Sequence, residues 1–171
     1  MCRGTSDFWF RLRSLPLILV GLCCVTLTPS LAQQQKPNLS GTWRLNLKSS
    51  KLGPHSRRDV DSFKIKHIEP QLEVVHVFDG RSLAFSFVVD GKEHVAANRP
   101  TFDGETRAKA YWDGDTLVIE KYQNVGRGAQ WVSRYNLAQD GNSLTISQHV
   151  TTSPDGPFDE TRIYDKQRPV E

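Results

Sequence analysis

Cysteine is confined to one end of this chain. Cys2, Cys23 and Cys24 are its three cysteines, and all lie within the first 24 residues. The remainder has no thiol, so it has neither a disulfide framework nor a cysteine nucleophile and must fold on its core alone. Long apolar runs are missing too. The main one, Leu15 to Leu27, is shorter than the ~20 residues that span a bilayer. No segment carries a sustained 3.6-residue apolar period, which argues against a helical fold. A strong charge of either sign is also lacking. The formal net charge is +3, and the first 32 residues hold three arginines against one aspartate, leaving 19 basic and 18 acidic residues beyond them. So balanced a chain has no electrostatic footprint for nucleic acid or for an acidic membrane surface.

The first 32 residues have the layout of a secretory signal peptide. Arg3, Arg11 and Arg13 give a basic start, Leu15 to Leu27 an apolar middle, and Ser30-Leu31-Ala32 small residues where a signal peptidase reads. An uncleaved anchor is the rival, and the short apolar run speaks against it. A lipid anchor would need a small residue before the modified cysteine, whereas Leu22 precedes Cys23 and Cys23 precedes Cys24. The expected organisation is a signal peptide over 1–32, a disordered polar lead-in over 33–38 and a single domain over 39–168. Cleavage near Ala32 leaves 139 of the 171 residues, enough for one sizeable core. The expected location is extracytoplasmic, secreted or periplasmic, with no stable membrane span once the leader is removed.

What the rest of the chain has in quantity is turns. Six Asp-Gly pairs punctuate it, at 79–80, 90–91, 103–104, 113–114, 140–141 and 155–156. Asp tolerates the left-handed backbone region and Gly meets no steric barrier there, so the pair suits tight hairpins. Between the pairs, short runs alternate apolar with polar residues. Strands are expected over 40–47, 61–68, 71–78, 83–89, 92–98, 105–112, 116–123, 129–137, 143–150 and 160–166. The turns around Asp113-Gly114 and Asp140-Gly141 look like one device used twice. The fold class is therefore all-β: an antiparallel up-and-down meander of about 8–10 strands, which must close into a barrel to protect its edges.

Chemistry is harder to find. Metal binding needs several ligands converging on one point, and the five histidines (His55, His67, His76, His94 and His149) show neither H-x-H nor H-E-x-x-H spacing. With two-residue hairpins, His76 opposes Leu83 and His94 opposes Phe87, both on the apolar face but too far apart to share one ion. Each is either a core histidine with a hydrogen-bond partner or a polar handle inside an apolar cavity. His149 shares a face with Thr145 and Ser147 and is expected in solvent. Asp113-Gly114-Asp115 lacks the other ligands of a calcium loop. No Gly-x-Ser-x-Gly elbow occurs. No helix follows Gly126-Arg127-Gly128 to make a phosphate site. Asp159-Glu160 is expected to be a solvated loop pair. No metal and no cofactor is expected.

The aromatics carry more. Leu83, Phe85, Phe87 and Val89 form the most apolar stripe, and Tyr111, Trp112, Trp131 and Tyr135 are candidates to join it. In a small barrel they would fill the interior, and in a wider one they would line a cavity.

Gly41-Thr42-Trp43 on the first strand, after a signal peptide and ahead of a hairpin meander, resembles the lipocalin and wider calycin group. The chain looks like a small secreted bacterial lipocalin-like barrel. The resemblance implies that Trp43 closes one end and that an arginine of the last strand, Arg162, stacks over it as a structural partner. The family's Thr-Asp-Tyr motif has no counterpart, and neither has the helix before its final strand. The resemblance implies a non-catalytic binding protein for a small apolar molecule, and the alternating residues place its binding face along Val74, His76, Leu83, Phe85, Phe87 and His94. The alternative is an extracytoplasmic inhibitor or interaction module with a packed interior. Such a module would meet a protein partner through loops such as the basic stretch with Lys48, Lys51, Arg57 and Arg58. A small barrel enzyme using His76 or His94 is a third reading.

Overall fold

A computed structural model describes residues 35–54, 56, 62–78, 81–99, 104–123, 130–151 and 156–168. The leader, Arg57, Arg58, Asp79-Gly80, Asp103, Asp155 and the Gly126-Arg127-Gly128 loop lie outside the described residues. Ten strands follow one another: β1 (Gly41–Leu45), β2 (Ser62–Ile68), β3 (Gln71–Phe78), β4 (Arg81–Val88), β5 (Glu93–Arg99), β6 (Gly104–Asp113), β7 (Thr116–Gln123), β8 (Gln130–Leu137), β9 (Ser143–Val150) and β10 (Phe158–Gln167). All pair antiparallel in one sheet of order β4-β3-β2-β1-β10-β9-β8-β7-β6-β5. This is the expected meander, curled into a nearly closed barrel.

Closure is incomplete between β4 and β5. The expected hairpin around Asp90-Gly91 does not form, so His94 does not oppose Phe87. An isolated parallel bridge from Val89 to Ala110 of β6 takes its place, and Gly91 N–H donates to the Ala110 carbonyl at 2.9 Å. The chain crosses from one sheet edge to the other here instead of reversing beside itself. Gly91, at φ 73°, supplies the left-handed backbone the crossing needs.

The two look-alike turns also differ. Asp113 pairs with Thr116, leaving a two-residue turn. In the other hairpin the ladder ends at Leu137 with Leu144. Ala138 N–H then reaches the Ser143 carbonyl at 2.9 Å, and the Asp140 carboxylate accepts from Asn142 N–H at 2.9 Å. The side chain replaces a ladder bond, so similar sequences close loops of different length.

Period-two alternation turns one residue in two inward. At the end carrying the 69–70, 113–116 and 138–143 turns the interior is packed. Leu72, Leu117, Ile119 and Leu144 are buried there, and Trp43 has no exposed surface. Leu39 plugs the opening: its carbonyl accepts from Trp43 Nε1 at 3.1 Å and its N–H donates to His67 Nδ1 at 3.3 Å. That bond fixes the His67 tautomer, because Nδ1 must be the bare nitrogen. Nε2 then donates to Glu69 at 3.0 Å. Trp112 Nε1 donates to the same carboxylate at 2.6 Å.

The cation over the Trp43 ring is Lys166, 5.3 Å from the centroid, and not Arg162. Lys166 is the register partner of Trp43 on β10, whereas Arg162 pairs with Ile146 four residues further along the strand. Gly41 makes the arrangement fit. A Cβ there would come within 2.8 Å of Lys166 Cε, so the glycine of Gly-x-Trp leaves room for the lysine stem.

Candidate functional site

Toward the opposite end of the barrel the inward residues change character. On β7 the inward series Leu117, Ile119 ends in Lys121. On β8, Tyr135 is followed inward by Ser133 and Trp131. On β9, Leu144 and Ile146 lead to Gln148, and on β10, Tyr164 leads to Arg162 and Glu160. Here a cavity of about 200 Å³ opens, lined by Phe85, Thr106, Lys121, Trp131 and Gln148. Its size lies between a cavity of ~150 Å³ that holds benzene and the ~300–1,000 Å³ of drug-sized sites. It accommodates a short chain, or the head of a longer one.

Among the described residues two cations, Arg162 and Lys121, reach this region, in different surroundings. Arg162 Nε donates to Glu160 Oε1 at 2.9 Å, and both side chains are largely buried. Glu160 also accepts from Gly53 N–H at 3.3 Å and from the Ser56 hydroxyl. The expectation of a solvated Asp159-Glu160 loop pair is therefore corrected for Glu160, which is on β10 and turned inward to neutralise Arg162. Asp159 is exposed and bonds His149 at 2.6 Å, and His149 is exposed as expected.

Among the described residues no carboxylate meets the Lys121 ammonium, which lies 5.2 Å from the Phe85 ring centroid. Burial, and then the charge of Arg162, lower its pKa to about 8. A desolvated ammonium facing a cavity is strongly favoured to pair with any anion that enters.

His76 lies 5.7 Å from the Phe63 ring and 5.9 Å from that of Phe85. Burial, then Lys121, then Arg162, lower its pKa to about 4. It is neutral near pH 7. The folded state disfavours its protonation, so the penalty is absent above about pH 6.5, grows as pH falls, and levels off below about 4. Thermal unfolding of the native protein from pH 7 to 4 should thus show an acid loss, up to about 3 kcal/mol, that His76→Leu lacks. Equal acid sensitivity in both proteins would contradict this role for burial.

The six residues of the expected binding face divide. Phe85 lines the cavity and His76 packs against it. Leu83, the register partner of His76, is half-buried at the same end. Val74 and Phe87 belong to the packed core, with Phe87 stacked 6.1 Å from Phe85. His94 leaves the set: its Nε2 bonds Asp90 at 3.0 Å near the β4–β5 crossing. Among the aromatics Trp112, Trp131 and Tyr135 turn inward. Tyr111 turns outward instead and donates to Glu120 at 3.0 Å. Lys121, Thr106 and Gln148 were not among the expected site residues, and Glu160 was expected in solvent. Their signal was parity alone, since each shares the phase of the apolar residues on its own strand. Among the described residues no group of metal-ligating side chains converges, and no helix is long and apolar enough to cross a membrane.

Solved structures with this architecture cover nearly their whole length. A protein described as the REP1-NXSQ fatty acid transporter superposes with a TM-score of 0.56 at 14% identity, covering 77% of this chain and 98% of its own. The "secretary abundant heat soluble" protein of Ramazzottius varieornatus gives 0.56 at 16% identity, with 75% and 94% covered. Apo lipid binding protein 8 of Caenorhabditis elegans gives 0.54 at 10%, with 75% and 95% covered. The fold is a lipocalin-like, calycin-type β-barrel. At these identities the likeness is one of fold. No family model and no curated protein matches the sequence. Among the described residues, one end of this barrel is filled and a cavity lined in part by Lys121 opens toward the other.

Proposed function

We propose that this calycin-type barrel is a non-catalytic carrier for a small, largely apolar molecule bearing one acidic group, acting in an extracytoplasmic compartment. The observation that carries the reading is Lys121: an ammonium that meets no carboxylate among the described residues, beside Phe85 and Trp131, in a cavity of about 200 Å³. Burying the ligand's apolar surface supplies affinity, at roughly 25 cal/mol per Å² removed from water. The carboxylate–ammonium pair fixes its orientation. Thr106 and Gln148 offer further polar contacts. The named lipid and fatty-acid binders of the same fold support the apolar part of this reading. The layout of the first 32 residues supports the location.

A thermal-shift panel tests it. Straight-chain acids, the matching alcohols, retinoids and quinones are each titrated into the purified protein. A ligand at a hundredfold its Kd stabilises by about 2.7 kcal/mol. A dose-dependent rise in Tm is expected for acids above all. A flat response across the panel would reject the carrier reading and favour an interior that admits nothing.

A further inference from the structure

The amine that attracts an acid is also a nucleophile held in an apolar cavity. We propose that Lys121 is a covalent capture site, whose Nζ condenses with aldehyde-bearing apolar molecules entering the cavity and holds them as an imine. The inference rests on the reading that apolar ligands enter this cavity, and adds a chemical class that the reading does not contain.

Three observations support it. First, Lys121 lines the cavity, and among the described residues no carboxylate ties up its nitrogen. Second, the groups facing it from the surrounding strands are of the right kinds. Burial and then the charge of Arg162, itself held by Glu160, disfavour the ammonium, while His76 is neutral at pH 7 and adds no charge of its own. Thr106 and Gln148 supply polar atoms beside Lys121 for a hydroxyl intermediate. Third, the amine is more available than on a surface lysine. With its pKa lowered to about 8, a far larger fraction is unprotonated at neutral pH.

The step balances without any oxidant or reductant. The Nζ lone pair forms a bond to the carbonyl carbon, and the carbonyl oxygen takes a proton to become a hydroxyl. That hydroxyl leaves as water after accepting a second proton, and the C=N bond forms. The sum is one ammonium and one aldehyde giving one protonated imine and one water. The aromatic walls at Phe85 and Trp131 shield the product from the reverse attack by water.

Octanal with sodium cyanoborohydride, at pH 7, converts any imine into a stable octyl-lysine. Intact-mass measurement and peptide mapping then locate it. One octyl group per chain is expected, on Lys121, formed roughly tenfold or more faster than on any other lysine. Lys121→Arg and Lys121→Met should both lose this fast phase, and the thermal shift of the native protein with octanol shows separately that the cavity accepts a chain. An octanol shift in the native protein with labelling spread evenly over the lysines would overturn the capture site and leave the carrier reading intact. Even labelling with no octanol shift would overturn both.

Discussion

Replacing Lys121 with methionine should weaken binding of straight-chain acids by about ten- to a hundredfold and leave the matching alcohols nearly unaffected. A hydrogen bond to a charged group contributes about 1.5–3 kcal/mol, and the alcohol never makes that ion pair. The same substitution should stabilise the empty barrel. The Lys121 pKa falls from 10.5 to about 8 in the fold. Between those values the unfolded chain binds more protons than the folded one, so native stability rises with pH across that window. Below about pH 8 the whole penalty is present, on the order of 3 kcal/mol. Methionine, one atom shorter, keeps most of the unbranched apolar stem and removes the charge. Urea unfolding at pH 7 should show the gain, and it should shrink as pH approaches 10.5. Equal losses for acid and alcohol would mean that Lys121 shapes the cavity and does not read charge.

Trp43→Ala should be the most damaging single change to the fold, at about 3–5 kcal/mol. Trp43 has no exposed surface. It donates to the Leu39 carbonyl and carries Lys166 over its ring. Its removal leaves a void at the filled end and frees the Leu39 plug, which in turn holds His67. Domains of this kind have about 5–15 kcal/mol in total, so the variant should unfold at a much lower urea concentration. Trp43→Phe should recover part of the loss through packing, without the indole hydrogen bond. A variant at native stability would show that the plug contributes little.

The strands and their parity were legible in the sequence to within a few residues, because alternation and Asp-Gly turns are local signals. Pairing beyond neighbours was not. Whether β4 turns back on β5 or crosses to the other sheet edge depends on barrel closure, and Asp90-Gly91 suits both. The error at His94 follows from that one turn. The Trp43 partner was misassigned because the register of β1 on β10 is set by the whole barrel; a shift of four residues along β10 separates Arg162 from Lys166. Lys121 was readable as an inward residue from Leu117 and Ile119 at the same parity. That it meets no carboxylate among the described residues was not, because Glu160 turns to Arg162 on its own strand. Alternation distinguishes inside from outside, while the division of the interior into core and cavity depends on strand tilt and shear.

Calorimetric titration of the native protein with octanoate and with octanol tests the central claim most directly. The account predicts one-to-one binding of both, a negative heat-capacity change from apolar burial, and tighter binding of the acid. Absence of binding by both octanoate and octanol would contradict it, since a cavity that accepts no apolar chain leaves Lys121 nothing to hold.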